Sequence, residues 1–460
     1  MLSFAYPFFN FFQPGIFWPE LADFKPLQII AALALAATLS GRASYPRIGS
    51  LRHPAVISLL AFVFVQCLSL YRSGISAMLS EFGFWWIYPL FVLVSLRIIA
   101  DEESLRRYVW GMVWGSVWIV VYGIWAVTQG LEEENGGRAG AYGMYENHND
   151  YTFIVVQVMP FVFLYWRAAQ GFFKRTVLMA AFFACVVGVF LSLSRGGMIA
   201  FVLEFALIVM ITMTKKQRWI LLPMVAILGS AAISYQYLKR AENQGDSYTA
   251  EDSQVSREEL WRAGRAMVTS HPLLGVGSRT FQEHATEYGE ISHDNLGKNS
   301  HNTYIEVAAT SGLIGLYWYL RMLWKAASDL REKPPPTASA WEIMTRRATL
   351  IALLTECFRG LFDAKSWDWS LYVLTVIAVA SGQLMRARAL AAEGGAAGAD
   401  AAGNVLPGSN HLPPTDHLPP TNHLPPTNHL PPPGPLPPPA PLPQGSHFPP
   451  TNHLPPSGRR

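Results

Sequence analysis

The sequence predicts an all-α polytopic integral membrane protein of about 11–12 transmembrane helices, with one long loop on the outer side. Three observations carry that prediction. Of 460 residues, 51% are hydrophobic and 15% charged, whereas soluble domains average about 25% charged. Apolar runs close to the roughly 20 residues needed to cross hydrocarbon recur along most of the chain. Short charged connections separate them, and Lys and Arg crowd alternate connections.

The first apolar segment, 2–18, is interrupted by Pro7 and Pro14, and either crosses or lies in the interface. Clearer spans follow at 24–40, 55–71, 83–100, 108–128, 151–166, 176–193, 197–213 and 219–235. Three more come at 303–324, 348–363 and 369–385, the second weakened by Glu356 and Arg359. One set of connections holds Arg42, Arg47 and Arg52, then Arg106 and Arg107, then Arg167, Lys174 and Arg175. It continues through Lys215, Lys216 and Arg218 to Lys325, Arg331, Lys333, Arg346 and Arg347. In the alternate set Arg72, Arg138 and Lys365 stand nearly alone. The basic set is expected in the cytoplasm. The loop 236–302, the segment 132–149 and the tight link Ser194–Gly197 then share the outer face.

Residues 1–388 form the membrane domain on this reading, and 389–460 a tail. Ala and Gly lead into NHLPPT repeats, with His411, His417, His423 and His429 six residues apart and the pattern returning at His447 and His453. Paired prolines block helix and sheet ladders, so the tail is expected to be extended, disordered and cytoplasmic. A dispensable extension, a proline-rich partner site and weak metal binding are its alternatives. Net charge is only +3, which gives no reason to expect a nucleic-acid partner. Cys67, Cys185 and Cys357 lie in apolar runs without metal-site spacing. Met1 opens no basic region and no small-residue cleavage site follows, so insertion is expected and not export of the whole chain.

Four polar stretches interrupt this apolar background. In LSLSRGGMIAF, Arg195 sits between two spans with almost no loop. Its planar guanidinium suits bidentate phosphate binding, or it snorkels and anchors the turn. In VSREELWRAGRAMVTSHPLLGVG, Glu258, Trp261, Arg262 and Arg265 recur at helical spacing. Ser256 and Glu259 fit a capping box, Arg257 falls in the first turn, and the helix should end before His271–Pro272. The alternatives are an interfacial amphipathic helix or arginines set over a pyrophosphate. In SHNTYIEVAATSGLIGL, His301 lies where the outer loop re-enters the membrane, with Ser300 or Asn302 as a helix cap. A neutral imidazole there can serve as a general base or bond to loop backbone. His271, His284 and His293 match no common zinc spacing. In YENHNDYTF, Asn147, His148, Asn149 and Asp150 form a polar rim, suited to capping a helix or to sugar hydroxyls. Glu132, Glu133 and Glu134 read as a solvated turn.

The ordered set Asn149–Asp150, SRGG at Ser194–Gly197, Arg257 to Trp261, HPLLGVG at His271–Gly277 and HNTYIEVAATSGLIGL at His301–Leu316 resembles the O-antigen ligase and polysaccharide polymerase superfamily. The resemblance covers most of 20–390. The N-terminal PFFNFFQPGIFWPEL is also similar to a subgroup of O-glycosylation ligases associated with exosortase systems. The resemblance implies a multi-pass enzyme of the bacterial inner membrane with a periplasmic active face. Such enzymes take a glycan from undecaprenyl diphosphate and transfer it to a protein hydroxyl, lipid A-core or another glycan, with other polysaccharide-assembly proteins as candidate partners. No cofactor or metal is implied. Carried onto this chain, Arg195 and Arg257 would engage the diphosphate. His301 would activate the acceptor or support the leaving group. Arg262, Arg265, Asn302 and Asn149 are further substrate-binding candidates, the first two from helical geometry. A ligase acting by inverting transfer is the main expectation. A polymerase of O-antigen or exopolysaccharide shares its donor chemistry. A flippase of lipid-linked glycan and a purely structural membrane protein are the more distant alternatives.

Overall fold

A computed structural model describes residues 1–14, 20, 26–40, 52–131, 137–244 and 250–403. The proline-rich repeats, the Glu132–Glu134 turn, Arg42 and Arg47 lie outside the described residues. Among the described residues every regular element is helical. In chain order they are α1 (Leu2–Phe12), α2 (Pro26–Leu39), α3 (Pro54–Ser69), α4 (Ile75–Trp85), α5 (Ile87–Ile98), α6 (Glu102–Thr128), α7 (His148–Ala168) and α8 (Phe172–Ser192). There follow α9 (Arg195–Thr212), α10 (Lys215–Gln244), α11 (Ala250–Ser270), α12 (Phe281–Tyr288), α13 (Thr303–Arg331), α14 (Ala340–Arg359) and α15 (Trp369–Gly403).

Seven segments among the described residues are long and apolar enough to cross a membrane: Ile75–Ile98, Glu102–Thr128, His148–Ala168, Phe172–Ser192, Arg195–Thr212, Lys215–Lys239 and Trp369–Leu390. α2 and α3 are apolar but shorter. α13 and α14 have 29 and 20 residues and carry more charge. This is the architecture of an all-α polytopic membrane protein. Burial ranks its helices. α7 and the apolar part of α15 are 78% and 89% enclosed by the rest of the protein, whereas α10 is only 11% enclosed. α10 presents Trp219, Ile227 and Leu228 outward, as a lipid-facing helix does.

Of the first segment, the described part holds one short helix. α1 has 11 residues, about 16 Å at 1.5 Å per residue, too short for a bilayer core of about 30 Å. It packs on α6 across Gly111 and Gly115. A Cβ at Gly115 would lie 2.9 Å from Phe11 Cβ and 3.0 Å from the Phe8 carbonyl. Small residues four apart let two helices approach closely.

The long loop is built on a broken helix. Gly312 interrupts α13 with φ 69° and ψ −178°. The HPLLGVG segment fills the break: Val276 N–H donates to the Ala309 carbonyl at 2.9 Å and Gly277 N–H to the Thr310 carbonyl at 3.0 Å. Leu313 N–H returns to the Pro272 carbonyl at 2.8 Å. Backbone groups freed by the break are therefore paired, as burial requires. The same loop ties to α3 and α4. Ser278 N–H donates to Ser69 Oγ at 2.8 Å, and Ser278 Oγ to Glu81 Oε1 at 2.7 Å. Leu260 and Met267 of α11, Phe281 and Ala285 of α12 and Ala309 of α13 form a small core under the loop.

One local expectation is corrected. α11 begins at Ala250, so Ser256 and Glu259 lie inside the helix and do not cap it. The preceding Ala-Glu-Asp-Ser-Gln-Val residues continue the helix on their own. Glu259 instead accepts from Ser292 N–H at 3.1 Å, Ser292 Oγ at 2.8 Å and Asn295 Nδ2 at 2.8 Å. The bonds from Asn295 and Ser292 hold its carboxyl below the usual range. The expected end of the helix before His271 stands, at Ser270.

Candidate active site

The SRGG link is a turn with each residue fixed. Leu193 closes α8 in the left-handed region at φ 48°. Ser194 caps α9, its Oγ accepting from Gly197 N–H at 3.1 Å. The same hydroxyl donates to Asn149 Oδ1 at 2.7 Å, joining the start of α7 to the start of α9. Gly197 packs on Thr152, where an added Cβ would sit 2.8 Å from the threonine Cβ. Arg138 braces the turn from outside. Its Nε donates to the Ser192 carbonyl at 3.0 Å, satisfying an end carbonyl of α8. Arg195 is then the first residue of α9, with its guanidinium 5.6 Å from the Tyr237 ring centroid.

His301 is held by its flanks. Asn302 caps α13, accepting at Oδ1 from Tyr304 N–H and Ile305 N–H at 3.0 Å each. Thr303 N–H donates to the carbonyls of Gly360 and Asp363 at 2.8 and 2.9 Å, binding the re-entry point to the link after α14. His301 itself adopts φ 50°, a conformation uncommon outside glycine. Burial lowers the imidazole below its ordinary value. Arg257, Lys298 and Lys365 push the same way, against Asp363. The ring is neutral at neutral pH.

These residues surround one cleft of about 330 Å³. Asn147, His148, Asn149 and Asp150 of the α7 start, Arg195 and Gly196 of the α9 start, Ser256 and Arg257 of α11, and His301 line it. Five cationic side chains, Arg138, Arg195, Arg257, Lys298 and Lys365, face two carboxylates, Asp150 and Asp363. Two helix N-termini add positive potential. Such a cleft favours a polyanion, and oriented backbone donors suit phosphate oxygens. Arg195 makes no ion pair with a carboxylate among the described residues.

Behind the cleft lies a buried ion cluster. Arg359, 2% exposed, meets Asp150 at 3.1 Å, Glu356 at 3.0 Å, Asp363 at 3.0 Å and Asp368 at 2.5 Å. Lys365 adds a second cation at 2.8 Å from Asp150. Burial opposes the Lys365 charge, but Asp150 outweighs it and holds the ammonium above its usual range. Burial likewise opposes the Asp368 charge, and Arg359 with local hydrogen bonds overrides it, keeping the carboxyl low. Glu356 and Arg359 weaken the apolar run 348–363, and Arg359, paired with Glu356, holds the cleft-lining Asp150 and Asp363 from behind. Two charges within an otherwise apolar run were the signal.

The structure thus gathers Arg195, Arg257, His301 and Asn149 around one cleft. Asn302 stands beside it as a helix cap. Arg262 lines a separate shallow depression with Glu258, Glu259 and Glu290. Five residues past Arg257, it is turned about 140° around the helix. Arg265 is exposed and lines neither cavity. His271 bonds Tyr288 and His284 pairs with Glu287.

Residues 180–320 match the family model described as O-antigen ligase. The matched segment runs from α8 into α13 and includes Arg195, Arg257 and His301. It supports a place in the broad O-antigen ligase superfamily. No curated protein matches the chain.

Proposed function

We propose that the chain transfers a glycan from undecaprenyl diphosphate to an acceptor hydroxyl, on protein or on lipid, at the periplasmic face of a bacterial inner membrane. The observation that carries this reading is the cleft shared by Arg195, Arg257 and His301, reached from the ends of membrane helices. The acceptor oxygen attacks the anomeric carbon from the face opposite the diphosphate. A C–O bond forms, the bond to the diphosphate oxygen breaks, and configuration inverts. The acceptor proton passes to the neutral His301 ring, and the lipid diphosphate leaves with the bonding pair. Arg195 and Arg257 neutralise the charge that develops there, in a site already organised for it. Lys365 and Lys298 raise the positive potential of the same cleft. The orientation that puts this face outside also places the C-terminal tail in the cytoplasm.

The test is product analysis. Purified protein in liposomes is given labelled undecaprenyl-diphosphate glycan, with protein, core-lipid or no acceptor. Label on an acceptor with lipid diphosphate released supports ligation. A ladder of longer lipid-linked glycans redirects the reading to a polymerase. Intact donor moved to the opposite leaflet means a flippase and overturns the proposal.

A further inference from the structure

At the other end of α7 from the cleft lies a second cavity of about 680 Å³. A helix of 21 residues measures about 30 Å, so the two sites lie at opposite membrane faces. The cavity is a groove between α6, α8 and the start of α14. Its composition is graded along the helices. On α6, Arg106, Trp110 and Trp114 line it at intervals of four, a single stripe with the cation nearest the helix start. On α8 the order repeats, with Lys174 near the start and Val177 and Leu178 one turn deeper. The charged level thus sits at the membrane surface and the aromatic and aliphatic level inside the hydrocarbon.

Every charged residue lining the groove is a cation. Arg106 lies 5.0 Å from the Trp341 ring centroid, and its buried Nε has no hydrogen-bond partner among the described residues. Its one ion pair among the described residues, with Glu102, is 3.3 Å. Glu102 is engaged more closely elsewhere, by Arg388 at 2.9 Å and Ser339 at 2.7 Å. Arg106 is therefore incompletely compensated. The Trp110 and Trp114 rings stack at 5.9 Å, and Tyr165 lies tilted 5.0 Å from Trp110, giving an aromatic wall below the cations.

We infer that this groove binds an anionic phospholipid, the headgroup phosphate on Arg106 and Lys174 and one acyl chain along Trp110, Trp114 and Val177. The volume fits a bound small molecule, typically about 300–1,000 Å³. The charge fits the lipid: basic pockets between transmembrane helices on the cytoplasmic side hold anionic headgroups. This site is independent of the glycan-transfer reading and needs no donor or acceptor to be tested.

The full chain is reconstituted in phosphatidylcholine nanodiscs containing brominated phosphatidylglycerol or, at the same fraction, brominated phosphatidylcholine. Tryptophan quenching is measured against brominated fraction. Wild type should be quenched at a lower fraction of the glycerol lipid than of the choline lipid. Arg106→Gln with Lys174→Gln should raise the half-quenching fraction of phosphatidylglycerol by roughly 25-fold, at about fivefold per cation. Trp114→Phe should remove part of the excess quenching without changing the fraction at which it occurs. Equal quenching by both lipids, or an excess that survives both variants, overturns the assignment. If the double variant fails to fold, the Trp114→Phe result decides.

Discussion

His301 combines a left-handed backbone with a buried, neutral ring, so its two properties need separate variants. Asparagine tolerates that backbone region better than most residues but cannot act as a base. His301→Asn should therefore insert and melt like wild type while turnover falls about 10²–10⁴-fold, the span of general-base contributions. A folded His301→Asn protein with near-normal turnover removes the base role. The lowered pKa also fixes a pH profile. Base form is present above the folded value, so turnover should hold through pH 6.5 and fall only at more acidic pH. The unfolded chain binds the proton near 6.5 and the folded one below it. Stability is thus lost as pH drops through that window. Arg359 is a stability residue by the same logic. Replacing it with Met leaves carboxylates buried without their partner, which costs about 3–5 kcal/mol when one side of a buried pair is removed. Thermal unfolding in detergent checks it, and an unchanged melting temperature would mean the cluster is solvated.

Elements were legible where pattern and local chemistry agreed. The spans at 108–128 and 151–166 lie within α6 and α7, and 176–193 lies within α8 but for its last residue, because each is a long apolar run bounded by charge or by an Asx cap. The break in α13 was not legible: TSGLIGL reads as uninterrupted apolar helix with tolerated glycines. What breaks it is tertiary, the docking of HPLLGVG against its backbone. Gly312 and Gly275 both adopt positive φ, 69° and 70°, and an added Cβ would meet Leu274 N at 2.5 Å or Thr310 C at 2.5 Å. Gly312→Ala should destabilise by roughly 1–3 kcal/mol from backbone strain alone, and more once the loop is displaced. Protease nicking between α11 and α13 reports it, and a wild-type nicking rate would show that the loop does not depend on the break. Within the cleft, Arg195 and His301 were readable because each sits alone at the lip of an apolar segment. Asp150 was readable as part of the polar rim, but its meeting with Asp363 and Lys365 was not, since that depends on how α7 and the link after α14 pack.

At the scale of the molecule, the alternation of basic connections and the helix ends agree. The cleft and the phospholipid groove fall at opposite ends of α7. The proline-rich tail should be separable from both: a chain stopped after Gly403 should insert and turn over as the full chain does. Loss of turnover with unchanged insertion would assign the tail a working role. The Arg359 cluster has one more consequence, for biogenesis. Asp150 emerges from the ribosome 209 residues before the arginine it binds. Until α14 arrives, α7 holds a carboxylate near the membrane with no Arg359 to meet it. Nascent chains therefore pass through a long interval in which the Asp150 end of α7 cannot take up its final contacts. The ion cluster can be completed only when nearly the whole membrane domain has been made.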